Sequence, residues 1–309
     1  MSIAKIKDEI EIAYLYEKRD DKKEPVVFLN GSIFNYKQWI PAYLPAFQSL
    51  TNNSRSYVLY DYQGIGKSSP KIDPYTLQAL ANELLGLLNA LKLERVHLFG
   101  VSKGTMVSQV FTGLYPDRVL TIGGYGIANL LDPKIEYVRD LFVARLASVM
   151  TLKDLFSERI TSTNFKQLVR TVYTPAIFNK PYSQLTFREK FIHWIIERKV
   201  YPMLEGTPIR SLELLFRYYA EELGNEIDYF QKCVNAIGEK PVLLLNGTGD
   251  QITPVELARD LKNRLKNASL IEFDNYEHIR PSLNKKEARS IMKEYTNFLY
   301  QHTHQNKVS

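Results

Sequence analysis

The chain has a single cysteine, Cys233, among 309 residues. No intramolecular disulfide can form, and a reducing compartment is the natural setting. No apolar stretch approaches the ~20 residues that a membrane-spanning helix needs. The opening Met1-Ser2-Ile3-Ala4-Lys5-Ile6-Lys7-Asp8-Glu9 holds no apolar core of signal-peptide length. A cytoplasmic protein without stable membrane insertion is therefore expected. Internal repeats and low-complexity tracts are missing too, which excludes solenoids and compositionally disordered arrays. Charge of one sign is not gathered anywhere. Forty Lys and Arg are interspersed with 34 Asp and Glu, and the net charge of +6 is spread along the chain. That is not the clustered, aromatic-laced basic face of a nucleic-acid-binding protein. The basic excess is expected to be a solvated surface, with attraction to an acidic protein or a carboxylate substrate as the alternative. No group of His, Cys and carboxylates has metal-ligand spacing, so neither a metal nor an organic cofactor is expected. Nothing in the chain indicates an oligomeric state.

What is present is a succession of short apolar runs, each followed by a turn: Val26–Leu29, Tyr57–Tyr60, Val96–Phe99, Leu120–Ile122, Val242–Leu245 and Leu270–Phe273. Continuous apolar runs without alternation belong to strands covered on both faces. Helical stripes lie between most of them. Thr76–Leu91 sets Leu77, Leu80, Ala81, Leu84, Leu87 and Leu88 on one face, and Met106, Val107, Val110, Phe111 and Leu114 form another. Strand–helix alternation of this kind predicts an α/β fold with a mostly parallel sheet between helical layers. Ile10, Ile12, Tyr14 and Tyr16 alternate at period two and, with Ile3 and Ile6, predict a hairpin turning near Lys7-Asp8-Glu9. From 129 to 238 the strand pattern stops. This stretch is helical in pattern and rich in aromatics, Phe165, Phe187, Phe191, Trp194 and Phe216 among them. The expected organisation is a core in two parts, 1–128 and 239–309, with a helical lid inserted between them.

Chemistry is expected where the runs end. Gly100-Val101-Ser102-Lys103-Gly104 fits G-x-S-x-G and sits between an apolar strand and an amphipathic helix. A strand–serine–helix turn bends sharply, and glycines two residues to either side let the backbones cross while the hydroxyl stands above the sheet. A serine hydroxyl needs a base beside it. Of the five histidines, His97 falls inside a strand, His193 in the helical stretch, and His302 and His304 in a polar tail. His278 follows the last strand and would share the carboxyl rim with Ser102. Asp250 ends Leu243-Leu244-Leu245-Asn246-Gly247-Thr248-Gly249-Asp250, a strand and glycine turn that deliver it to the same rim. Asp132 competes for its role, whereas Asp61 and Asp73 precede the nucleophile and are expected to be turn acids. The developing oxyanion needs two N–H donors. They are expected from Lys103, after the nucleophile, and Ser32, in the Asn30-Gly31-Ser32 loop after the first buried strand. The Lys103 side chain itself is expected to face solvent or to meet an anionic substrate group. Glu277 is expected to stabilise the imidazolium or to bind a cation of the inserted lid.

Together these motifs resemble the α/β-hydrolase superfamily over nearly all of the chain outside the inserted stretch. Asp61-Tyr62-Gln63-Gly64-Ile65-Gly66-Lys67-Ser68 matches the D-x-x-G-x-G-x-S that family members carry, and Pro116-Asp117-Arg118-Val119 matches their P-x-R-V. Asn30 stands where the family usually has histidine, and Glu277 where it usually has glycine. The resemblance implies an eight-stranded sheet and acyl transfer through Ser102, His278 and Asp250. Water as acceptor makes an esterase or thioesterase, whose substrate is a small acyl ester or thioester. Leu29-Asn30-Gly31-Ser32, with Asn246-Gly247, Asp250, Thr253, Glu256, Ala258 and Arg259, is also similar to the bacterial synthases that join 3-hydroxyacyl chains from acyl carrier protein. That likeness implies an acyltransferase built from the same residues, with acyl carrier protein as partner. A non-catalytic ligand-binding homologue would have lost part of the triad, and a dehalogenase would carry a carboxylate at position 102.

Overall fold

A computed structural model of the chain describes residues 1–7, 10–19, 23–71, 75–132, 135–150, 158–170, 174 and 181–305. Eight strands form one sheet in the order β1-β2-β4-β3-β5-β6-β7-β8. They are β1 (Ser2–Lys5), β2 (Glu11–Glu17), β3 (Val26–Leu29), β4 (Tyr57–Tyr60), β5 (Val96–Val101), β6 (Val119–Tyr125), β7 (Val242–Gly247) and β8 (Ala268–Phe273). β1 and β2 pair antiparallel, as do β2 and β4, and every other pairing is parallel. The expected fold class is the observed one. Asp8 and Glu9, placed in the hairpin turn, and Asp73 lie outside the described residues.

The unalternating apolar strands have the predicted cause. Val26 and Phe28 face one layer, where Phe47, Ile291 and Tyr295 cover them from the helices Tyr43–Leu50 and Lys285–Gln305. Val27 and Leu29 face the other, against Leu84, Val107 and Phe230 of the helices Leu77–Ala90, Lys103–Leu114 and Ile227–Ala236. Thr76 caps the first of these, its side chain accepting the Ala79 N–H at 3.0 Å. The chain runs through Gln305 as helix, so His302 and His304 sit on its last turns rather than in a free tail. The His302 ring packs on Phe298 with centroids 4.6 Å apart.

The strand order reverses at β3. The chain leaves it for β4 on one side and returns to β5 on the other, opening a crevice at the carboxyl ends of β3 and β5. Between β6 and β7 the described chain is helical apart from one bridge, Arg159 to Pro208. Helices Ile135–Met150, Ser162–Leu168, Phe187–Leu204 and Ile209–Arg217 precede Ile227–Ala236. Among the described residues no helix is long and apolar enough to cross a membrane.

Helix Ile227–Ala236 lies so close to Lys103–Leu114 that a Cβ on Gly113 would collide with the Cys233 carbonyl. Gly113→Ala is expected to destabilise the protein by about 1–3 kcal/mol, the range for overpacking. Gly224→Ala has open space around the new methyl. It should change stability by no more than about 0.5 kcal/mol, as surface substitutions usually do. Urea unfolding of the two variants checks the contrast.

Candidate active site

β5 delivers Ser102 to the crevice. The serine has φ 54° and ψ −119°, in the left-handed region that an L-residue enters at a cost of order 1–2 kcal/mol. Two crossings force it there. A Cβ on Gly104 would strike the carbonyl of Leu29 at the end of β3, and one on Gly100 would strike Gly104. With both positions bare, the helix starts immediately after the serine, and its hydroxyl enters a cavity at the crevice.

β7 and β8 deliver the acid and the base. The turns after them are joined: the Gly249 N–H donates to the Tyr276 carbonyl (3.1 Å) and the Asn275 N–H to the Thr248 hydroxyl (2.9 Å). Tyr125, at the end of β6, donates its hydroxyl to the Glu277 carbonyl at 2.9 Å and holds the histidine loop from beneath. Asp250 is buried and accepts four hydrogen bonds. Oδ1 takes the N–H groups of Ile252 (2.9 Å) and Thr253 (2.8 Å). Oδ2 takes the Thr253 hydroxyl (2.9 Å) and Nδ1 of His278 (2.7 Å). A carboxylate only accepts, so Nδ1 carries the proton and the Nε2 lone pair is left for other work. The carboxylate bonded to His278 is thus that of Asp250, while Asp132 lies in the field of Arg264.

Ser102 and His278 line the same cavity. Ser102 Oγ has no hydrogen-bond partner among the described residues, so serine and imidazole share a space without being joined. The Ser32 loop forms the opposite wall. Asn30, in the place of the usual histidine, is a buried brace: it donates Nδ2 to the Tyr60 carbonyl (2.7 Å) and accepts Trp39 Nε1 (2.6 Å). Gly31 N–H donates to Gln38 Oε1 at 2.9 Å. The Ser32 N–H enters no hydrogen bond among the described residues, and Lys103 N–H, at the first helical position, has no intrahelical acceptor. Both remain available to a bound oxyanion.

Several expectations change. The Lys103 side chain neither faces solvent nor enters the cavity. It is 1% exposed and folds under the Ser32 loop, because the rings of Tyr62 and Tyr75 offer a lining for its stem and charge. Glu277 turns to Arg280 at 3.4 Å, and Arg280 also reaches Glu287 at 2.7 Å. His97 packs in the sheet against Thr121 (2.8 Å), and burial pushes its pKa down to about 3. His193, in the helical stretch, bonds Thr174 at 2.7 Å and pairs with Glu197. Asp61 is a turn acid: its two oxygens accept the N–H groups of Tyr36 (2.7 Å) and Lys67 (3.1 Å). Burial nevertheless raises its pKa to about 6. Thr253, met in the sequence only as part of a likeness, proves to be the residue that clamps Asp250. Its place three residues after Asp250 was the signal, since an aspartate side chain in a turn often accepts the N–H groups two and three residues on, as Asp250 does from Ile252 and Thr253.

A serine in a strained turn and a carboxylate–imidazole pair thus meet on one cavity at the carboxyl rim of a doubly covered sheet, beside two N–H groups without a partner among the described residues. The chain belongs to the α/β-hydrolase fold family, whose model matches residues 24–281. It is 23% identical over 282 residues to rhodomycin D methylesterase of Streptomyces peucetius, covering 85% of this chain and 87% of that one. It is 27% identical over 253 residues to the proline iminopeptidase of Levilactobacillus brevis, 77% of each. Among solved structures, an α/β hydrolase enzyme from a Medee basin deep-sea metagenome library superimposes with a TM-score of 0.72. That match has 20% identity and covers 96% of this chain and 97% of the other.

Thr253→Val removes one hydroxyl from Asp250 and keeps the volume. The expected loss is about 1–1.5 kcal/mol, or roughly tenfold in kcat for an activated ester. Steady-state hydrolysis of p-nitrophenyl butyrate measures it, and an unchanged kcat would remove Thr253 from the machinery.

Proposed function

We propose that the chain is a serine esterase or thioesterase acting on acyl chains of medium length. Ser102 attacks the acyl carbonyl, and His278 Nε2 takes its proton and returns it to the leaving group. Asp250 holds the imidazole tautomer and stabilises its charge, and the N–H groups of Ser32 and Lys103 receive the oxyanion. Water then repeats the sequence on the acyl-enzyme. The observation that carries this reading is the 2.7 Å bond from His278 Nδ1 to the buried Asp250, on the cavity that Ser102 enters. Support for the ester also comes from the methylesterase relative, while the iminopeptidase relative warns that the same frame serves an amide.

The cavity bears on the substrate. Its volume is about 920 Å³, near the upper end for small-molecule sites, and Ile33, Phe34, Val101, Val169, Val200 and Leu283 give it an apolar lining. An acetyl group would leave most of that surface uncovered. Each buried methylene contributes about 0.8 kcal/mol, so three more would raise kcat/KM about fiftyfold.

A second reading keeps the residues and changes the acceptor: a hydroxyacyl chain in place of water, delivered by acyl carrier protein. Arg145, Lys199, Arg280 and Lys285 outnumber the carboxylates Glu197 and Glu277 around the same cavity, an excess that favours an anionic carrier or substrate. Carrier-bound thioesters would then react in a manner that weakens with salt.

Ser102→Ala should abolish turnover and fluorophosphonate labelling, and labelling that persists would put the nucleophile elsewhere. Asp250→Asn should lower kcat by roughly ten-thousandfold, the scale for a mis-set tautomer in serine proteases, with Asp132→Asn near wild type. Across p-nitrophenyl esters, kcat/KM should climb from acetyl to chains of about six to ten carbons. A monotonic fall with length would discard the acyl-chain reading and leave the triad assignment standing.

A further inference from the structure

Lys103 occupies two unfavourable positions at once. It opens a helix, where the dipole disfavours a cation, and it is buried, where an ammonium loses its hydration. The carboxylate whose charge acts on it, Glu83, is already engaged. Glu83 holds Lys71 at 3.1 Å, both side chains being 4% exposed, and accepts the Gln63 N–H at 3.1 Å. What Lys103 has instead is a ring and a carbonyl. Nζ lies 3.9 Å from the centroid of Tyr62 and 5.8 Å from that of Tyr75, and it donates to the Ser32 carbonyl at 3.3 Å. Desolvation lowers its pKa to about 7, against the pull of Glu83 and with the push of Lys71.

The Ser32 carbonyl belongs to the loop proposed to supply an oxyanion donor. That loop is tied on every other side: Asn30 to Tyr60 and Trp39, Gly31 N–H to Gln38, and the Ser32 hydroxyl to that of Tyr219 at 2.9 Å. The lysine ammonium takes the carbonyl, and the Ser32 N–H has no partner among the described residues. The other proposed donor is the N–H of Lys103 itself. We infer that the Lys103 side chain is a positioning residue for the oxyanion hole. By gripping the Ser32 carbonyl it holds the loop's N–H in register with the N–H at its own backbone. One residue therefore sets both donors: its main chain provides one, and its side chain orients the other. The inference rests on the acyl-transfer reading given above.

A positioning role predicts a loss confined to the transition state. Lys103→Met keeps the backbone N–H and the length of the stem and removes the ammonium. It should lower kcat for a p-nitrophenyl ester ten- to a hundredfold with KM within about twofold. Binding of an alkyl boronic acid, whose serine adduct is a tetrahedral anion, should weaken by a similar factor. The melting temperature should stay level or rise, since an unpaired buried charge has been removed. Should Lys103→Met not fold, Lys103→Gln, too short to span to the carbonyl, carries the same expectation. Wild-type kcat and boronate affinity in a folded Lys103→Met or Lys103→Gln protein would overturn the inference, as would a change confined to KM. Ser102→Ala separates this from the underlying reading. An active Ser102→Ala protein refutes the site itself, whereas an inactive one beside a fully active Lys103→Met refutes only the role of the lysine.

Discussion

The structure turns on one backbone crossing. The helix that starts at Lys103 passes over the end of β3 with so little clearance that position 104 tolerates no Cβ against the Leu29 carbonyl. That contact fixes the distance between β5 and the loop after β3, and so between the serine and the Asn30–Ser32 loop. It also forces Ser102 into φ 54°, a conformation that only surrounding structure can impose. The strain is local, but what holds it is not. Phe28 and Phe99, on the neighbouring strands β3 and β5, pack in one aromatic layer with Trp39 and Tyr295. A cluster of that size resists the relaxation that would let the turn open.

Around the crossing, polar groups are satisfied with unusual thoroughness on the acid side and left open where chemistry would occur. Asp250 has four donors, and the loops bearing it and His278 are stitched to each other and to Tyr125. Ser102 Oγ and the Ser32 N–H, by contrast, have no hydrogen-bond partner among the described residues. Groups left without partners beside a cavity keep their bonding capacity for a ligand. Preorganisation and availability are thus divided between neighbouring residues.

Much of this was legible in the chain. Each of the six runs became a strand; five are largely buried, since a strand with both faces covered cannot hide its apolar residues in alternation, whereas Leu270–Phe273 lies half-exposed at the sheet edge. Ser102, Asp250 and His278 could be placed on one rim because each ends or follows a parallel strand, and parallel strands end on the same side. What stayed illegible depended on the direction of side chains. Lys103, next to a serine at a helix start, gave no sign that it would bury. Its environment is made by Tyr62 and Tyr75, contributed by a loop some 30–40 residues earlier. Glu277 found Arg280 only because the chain turns into a short helix there. Helix Ile227–Ala236 looks no different in sequence from the helices before it, yet it packs on Lys103–Leu114 as part of the layer covering the sheet. Amphipathicity reports that a face is buried, not against what.

That last distinction bears on how one frame can serve different acyl bonds. The groups proposed for bond-making sit on strand ends and on the helix locked over β3, and of these Ser32 is also tied to Tyr219 of the helical stretch. Part of the remaining cavity wall, Arg145, Val169, Glu197, Lys199 and Val200, comes from the helical stretch between β6 and β7. Apart from Tyr219, bonded to Ser32, and helix Ile227–Ala236, packed on Lys103–Leu114, this stretch is not bound by the crossing at Gly104, so its sequence can drift with less effect on Ser102 or Asp250. A methylesterase and an iminopeptidase that both align over most of this chain fit such a division. The chemistry would then be inherited with the sheet, and the substrate chosen by the helices laid beside it.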